Sequence, residues 1–156
     1  QGVSMQPRFD INKSDPAAYH AMYGMEKYLH QMSLAAPLIH IVKLYASIIN
    51  HCAYCIDMHW KDLRALGETE QRLYGLPAWR ESPYYTDRER AAFAWTEAVT
   101  VVTDGFISDE AYNEVRPHFD DKELTELTMV IITINSWNRM SIAARATAGT
   151  YQPAKS

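Results

Sequence analysis

From Leu124 to about Ala148 the sequence is apolar on nearly every side of a helix, with Val130, Ile131, Ile132, Ile134 and Trp137 leaving no continuous polar face. Such a helix must be the buried centre of a bundle or the interface of an oligomer. The run Met129 to Ile134 also fits a strand, but no hairpin turn or second strand pattern stands elsewhere to pair with it. The expectation is therefore an all-α, single-domain helical bundle of about six to seven helices.

The remaining helices are announced by their ends. Asp15-Pro16 opens the first, through about Gln31, and Pro37 starts a second that runs to about Asn50. Asn50 suits the N-cap of a third helix, which Gly67 closes. A short helix spans Glu70 to Leu76, and Gly75 to Pro83 reads as a connecting loop. Thr86 with Glu89 forms a capping box for a helix to about Val102, Ser108 caps another to about His118, and Asp120 with Glu123 starts the last.

The chain has 156 residues and a formal charge of −4, with an isoelectric point near 5.8. Its basic residues form no patch, so neither nucleic acid nor an anionic membrane is an expected partner. No stretch is long and apolar enough to span a bilayer, and no signal-like segment opens the sequence. A soluble, cytoplasmic protein is expected. Gln1 to Ser4 read as a tag remnant or disordered start, residues 5–150 as the domain and residues 151–156 as a tail.

The chemistry concentrates in Asn50-His51-Cys52-Ala53-Tyr54-Cys55-Ile56-Asp57-Met58-His59, which holds the chain's two cysteines. At helical spacing Cys52, Cys55 and His59 share an arc of roughly 60°. Helical residues three apart have Cα atoms about 5 Å apart, so a disulfide between them is geometrically accessible. A helix start favours thiolate over thiol, and His59, one turn beyond Cys55, can take its proton. Redox chemistry is the leading reading, but an isolated C-x-x-C also suits zinc or simple packing. For zinc, Cys52, Cys55 and His59 with His51 or His40 would be the donors, and a second ligand pair at finger-like spacing is missing. No cofactor and no resident metal are expected. Asp57, Lys61, Asp62 and Arg64 read as a solvated face, Tyr54, Met58 and Trp60 as core or interface, and Asn135, Asn138 and Arg139 as partners in buried hydrogen bonds.

These residues resemble the alkylhydroperoxidase D-like branch of the carboxymuconolactone decarboxylase superfamily. The resemblance runs through Cys52 to His59, Lys61-Asp62, Gly67 to Tyr74, Ala78 to Glu81, Ala94 to Ala98, Ile134-Asn135 and Trp137 to Arg139. It implies an all-α homo-oligomer, trimer or hexamer, that reduces hydroperoxides and is itself re-reduced by a protein or small dithiol. By the same resemblance Cys55 attacks the peroxide, Cys52 resolves the sulfenic acid, and His59 assists. The helix-dipole argument alone would favour Cys52 as the attacking thiol. Where the family has a glutamate in the proton relay, His40 stands here. An arginine and a glutamine common in close relatives are replaced by Tyr45 and Ile48, and His51 takes the place of a glycine. His40 is the expected substitute in the relay, since a neutral imidazole can accept a proton. Two other function classes compete: a lactone decarboxylase, which would leave the dithiol without a task, and a non-enzymatic redox-sensing or metal-binding module.

Overall fold

A computed structural model describes residues 5–155, so the expectation for Gln1 to Ser4 lies outside the described residues. Its helices are α1 (Ile11–Ser14), α2 (Pro16–Leu29), α3 (Ala36–Ile49), α4 (Ala53–Ala65), α5 (Glu70–Tyr74), α6 (Asp87–Thr100), α7 (Asp109–Val115) and α8 (Asp121–Ala144), with 3-10 turns at Leu76–Ala78 and Arg116–His118. The all-α bundle is thus observed, with no strand among the described residues and the one-turn α1 added to the expected elements. No helix among these residues is long and apolar enough to cross a membrane.

Local chemistry sets most of the ends. Thr86 Oγ1 accepts from Glu89 N (3.1 Å) while Glu89 Oε1 accepts from Thr86 N (2.9 Å), the reciprocal box expected at the start of α6. Asp120 and Glu123 do the same for α8. Gly67 follows α4 at φ +90°, a conformation that a Cβ would strain. α8 stops at Ala144 rather than near Ala148, because Arg145 turns left-handed at φ 54°. Pro117 cannot donate a helical hydrogen bond, and the segment after Ser108 accordingly narrows from α7 into a 3-10 turn.

The most enclosed helix is α3, where every residue from Ile41 to Ser47 is buried. It serves three packed groups at once. Val42 belongs to one with Trp95, Phe119, Leu127 and Ile131. Ile41, Leu44 and Tyr45 join Leu63, Trp79, Tyr85 and Phe93. Ala46 lies with Cys52, Cys55 and Ile134. α8 shares the centre but leaves Ile132 and Ile142 exposed, so it is less uniformly buried than its sequence suggests. Within the second group Phe93 meets Tyr45 and Tyr85 edge to face, with ring centroids at 5.5 and 5.2 Å. Each such pair contributes about 1 kcal/mol beyond burial. That aromatic anchor holds α6 against α3, and α3 in turn carries α4 and the cysteines.

Candidate redox site

The turn between α3 and α4 places the cysteines. Asn50 closes α3 instead of capping α4, and Cys52 takes the N-cap position, two residues later than the sequence suggests. The reason lies in α8. Asn50 Nδ2 donates to Asn135 Oδ1 (3.0 Å) and Asn138 Oδ1 (2.9 Å), so its side chain is engaged away from the helix start. Asn138, fully buried, donates to Ser47 Oγ (3.0 Å), and Cys52 N donates to Ser47 O (3.0 Å). This polar chain ties α8 to the cysteine turn and fulfils the expectation that Asn135 and Asn138 make interior hydrogen bonds. Arg139 Nη1 also donates to Asn135 Oδ1 (2.8 Å), but Arg139 is exposed, so the interior bond expected of it lies at the surface instead. His51 completes the turn at φ 57°, a left-handed conformation that favours glycine.

Cys52 and Cys55 are joined by a disulfide, with Cα atoms 5.3 Å apart. They are 1% and 3% exposed and pack with Ala46 and Ile134, with Tyr54 and Trp137 alongside. Cys55 sits in the first turn of α4, where backbone N–H groups lack intrahelical acceptors and favour negative charge. With the cap at Cys52, the dipole argument no longer gives the earlier cysteine a clear advantage. The inward stripe of α4 is Cys55, His59 and Leu63, spaced four apart.

His59 is 6% exposed, and Nδ1 of both His59 and His40 is enclosed without a hydrogen-bond partner. Their ring centroids are 6.1 Å apart, so α3 and α4 bring the two histidines together. Asp62 joins them: one donor atom from each of His40, His59 and Asp62 lies within 4.8 Å of the others. Burial, then the charge of Lys43 and the proximity of His40, hold His59 well below its usual 6.5. Burial and Lys43 also lower His40, against the opposing pull of Asp62 and Glu26. Both imidazoles are therefore neutral near neutral pH and able to accept a proton.

Lys43, Glu26, Asp62 and Tyr151 also take part, none of them expected at the site from the sequence. Lys43, 5% exposed, pairs with Glu26 Oε2 (2.8 Å), and Trp137 Nε1 donates to Glu26 Oε1 (3.1 Å). A lysine inside the apolar run of α3 was the available signal, since a cation there demands a partner. Asp62, expected on a solvated face, is half-buried and accepts from Tyr151 Oη (2.6 Å). The segment at Gly149 to Tyr151 lies along α4: Lys61 Nζ donates to Tyr151 O (3.0 Å), and Gly149 N to Asp57 Oδ2 (3.2 Å). Tyr45 is remote from this chemistry in its bonding, donating to Glu97 and accepting from Trp79 Nε1 (2.9 Å), with Arg80 pairing Glu97 (2.7 Å).

The model of the carboxymuconolactone decarboxylase family matches residues 16–98. The chain is 41% identical over 139 residues to the uncharacterized protein YdfG of Bacillus subtilis (strain 168), covering 89% of this chain and 95% of that protein. The crystal structure of ATU0492 from Agrobacterium tumefaciens, a protein of unknown function described as a candidate antioxidant defence protein AhpD, matches with a TM-score of 0.90 at 39% identity. That match covers 94% of this chain and 100% of the other. The apo debrominase Bmp8 shares the fold at a TM-score of 0.76 and 18% identity, over 88% of this chain and 74% of its own. By family model, relatives and fold together, the chain belongs to the carboxymuconolactone decarboxylase family, in its alkylhydroperoxidase D-like branch.

Proposed function

We propose that this protein is a thiol-dependent peroxidase that reduces hydroperoxides through the Cys52–Cys55 pair. The observation that carries the reading is the disulfide at the start of α4, one helical turn before a buried histidine with an unpartnered nitrogen. In the reduced protein, His59 takes the proton of Cys55, and the thiolate attacks the outer oxygen of the hydroperoxide. The O–O bond breaks, Cys55 becomes a sulfenic acid, and the alkoxide leaves as alcohol after taking the proton from His59. Cys52 then attacks the sulfenic sulfur, releasing water and closing the disulfide. A dithiol, protein or small molecule, returns two electrons and two protons. His40 passes the proton between His59 and the surroundings. The catalytic set is thus Cys55, Cys52, His59 and His40, working in a homo-oligomer and needing no cofactor.

Fold likeness does not decide the chemistry, since one scaffold can carry unrelated reactions and a debrominase shares this one. Lactone decarboxylation would give the dithiol no task. The deciding experiment mixes fully reduced protein with one equivalent of hydroperoxide per chain and counts free thiols. The peroxidase reading requires loss of both thiols, formation of the intrachain disulfide, and recovery with a dithiol. Thiols that stay free while the folded protein ignores peroxide would overturn it.

A further inference from the structure

We infer that His40, His59 and Asp62 form a binding site for a divalent transition-metal ion of the Zn²⁺ class, separate from the cysteines. The donor set is chemically apt: two imidazoles and one carboxylate form a three-ligand shell with a fourth position open to water. One donor atom from each residue already lies within 4.8 Å of the others. In a tetrahedral zinc shell the donors stand roughly 3.3 Å apart, so the residues must draw in by rotation of their side chains. Asp62 is only half-buried and has that freedom.

A second observation points to a ligand. His59 is 6% exposed, yet its Nδ1 meets no donor or acceptor, and the same holds for Nδ1 of His40. Interior polar atoms without partners are uncommon, and a bound ion at this cluster would supply a partner that the protein does not. The carboxylate also has an outer support of the kind that metal sites use, because Tyr151 Oη donates to Asp62 Oδ1 (2.6 Å) and leaves the second oxygen available. Lys43 is the nearby cation that would oppose a metal ion, but its charge is matched by Glu26 at 2.8 Å. The site differs from the one the sequence suggested, which drew on both cysteines. Here the disulfide withdraws them, and the donors come from α3 and from α4 beyond its first turn.

An ion bound to His59 would occupy the nitrogen lone pair that accepts the Cys55 proton. The ion would then act as a reversible brake, a consequence that rests on the peroxidase reading, whereas the binding itself does not. Binding is therefore tested on the oxidised protein, which has no free thiol and no peroxidase turnover to confuse the result.

Co²⁺ is titrated into metal-free, oxidised protein and followed by visible spectroscopy, then displaced with Zn²⁺. The expected result is one equivalent of Co²⁺ per chain, with ligand-field bands of a nitrogen and oxygen site and no sulfur charge-transfer band. His40→Gln and Asp62→Asn should each weaken the affinity by more than about 100-fold, and Tyr151→Phe by roughly ten-fold. Circular dichroism checks the fold of each variant, and Asp62→Asn, at a half-buried position, keeps the test available should His40→Gln fail to fold. Absence of stoichiometric binding, or binding unchanged in Asp62→Asn, overturns the proposal.

Discussion

The rings of His40 and His59 stand 6.1 Å apart on two helices, and each keeps an enclosed Nδ1 with no hydrogen-bond partner. Two neutral, unsatisfied imidazoles side by side can hand a proton from one to the other through a small bridging molecule. In the relay reading, His40→Gln should slow oxidation of Cys55 by about ten-fold to a hundred-fold, in the lower part of the range for general-base effects. Stopped-flow mixing with peroxide in the presence of a chelator measures this. An unchanged rate would leave His59 as the sole base and His40 as a packing residue.

His51 carries a left-handed backbone at φ 57° on an exposed turn, which costs an ordinary residue about 1 kcal/mol or more. Replacing it with glycine removes that strain, offset in part by the greater freedom of glycine in the unfolded chain. His51→Gly should stabilise the protein by about 0.5 kcal/mol, read from the denaturant midpoint at constant slope. Destabilisation would mean that the imidazole makes compensating contacts in the folded state.

Asn138 is the buried link between the cysteine turn and α8, bonded to Ser47 and Asn50. Truncation to alanine removes both bonds and leaves a polar cavity, so Asn138→Ala should destabilise by about 2 kcal/mol. The loosened turn should also make the Cys52–Cys55 disulfide easier to reduce, as measured by equilibration with a dithiol buffer. A potential equal to that of the unaltered protein would show that the polar chain holds α8 without controlling the cysteine pair.

Glu97 links Tyr45, Trp79 and Arg80. Burial pushes its carboxyl upward, but bonds from Arg80 and Tyr45 and the charge of Arg80 outweigh this and hold it below its usual 4.5. The folded pKa is depressed, so the contribution to stability is present above pH 4.5 and fades as pH falls through the folded value. Glu97→Gln should therefore be less stable than the unaltered protein near neutrality, with the gap narrowing in acid below that point. Denaturant midpoints of both proteins across this range test the sign, and a gap that widens in acid contradicts it.

The elements governed by local chemistry were legible in the sequence. The boxes at Thr86 with Glu89 and at Asp120 with Glu123, the cap at Ser108 and the turn at Gly67 depend on residues within a few positions of one another. The start of α4 departs from the expected cap at Asn50 for the opposite reason: the side chain of Asn50 is claimed by Asn135 and Asn138, which lie 85 and 88 positions away. Asp62 looked solvated because its partner Tyr151 is 89 positions distant, in what read as a tail. The cysteine pair and His59 showed themselves through spacing on one helix. Their convergence with His40 required the packing of α3 on α4, which spacing alone does not specify. Lys43 was the detectable omission, a cation on a wholly buried stretch of helix.

In the proposed peroxidase, Cys55 is the thiol that attacks the peroxide and Cys52 the one that resolves it. Cys52→Ser and Cys55→Ser, each reduced and treated with one equivalent of hydroperoxide, are compared by mass spectrometry with a sulfenic-acid probe. A trapped sulfenic acid is expected on Cys55 in Cys52→Ser, forming at a rate near that of the unaltered protein, with little or none in Cys55→Ser. A sulfenic acid that accumulates on Cys52 in Cys55→Ser, with Cys52→Ser inert, would contradict the assignment.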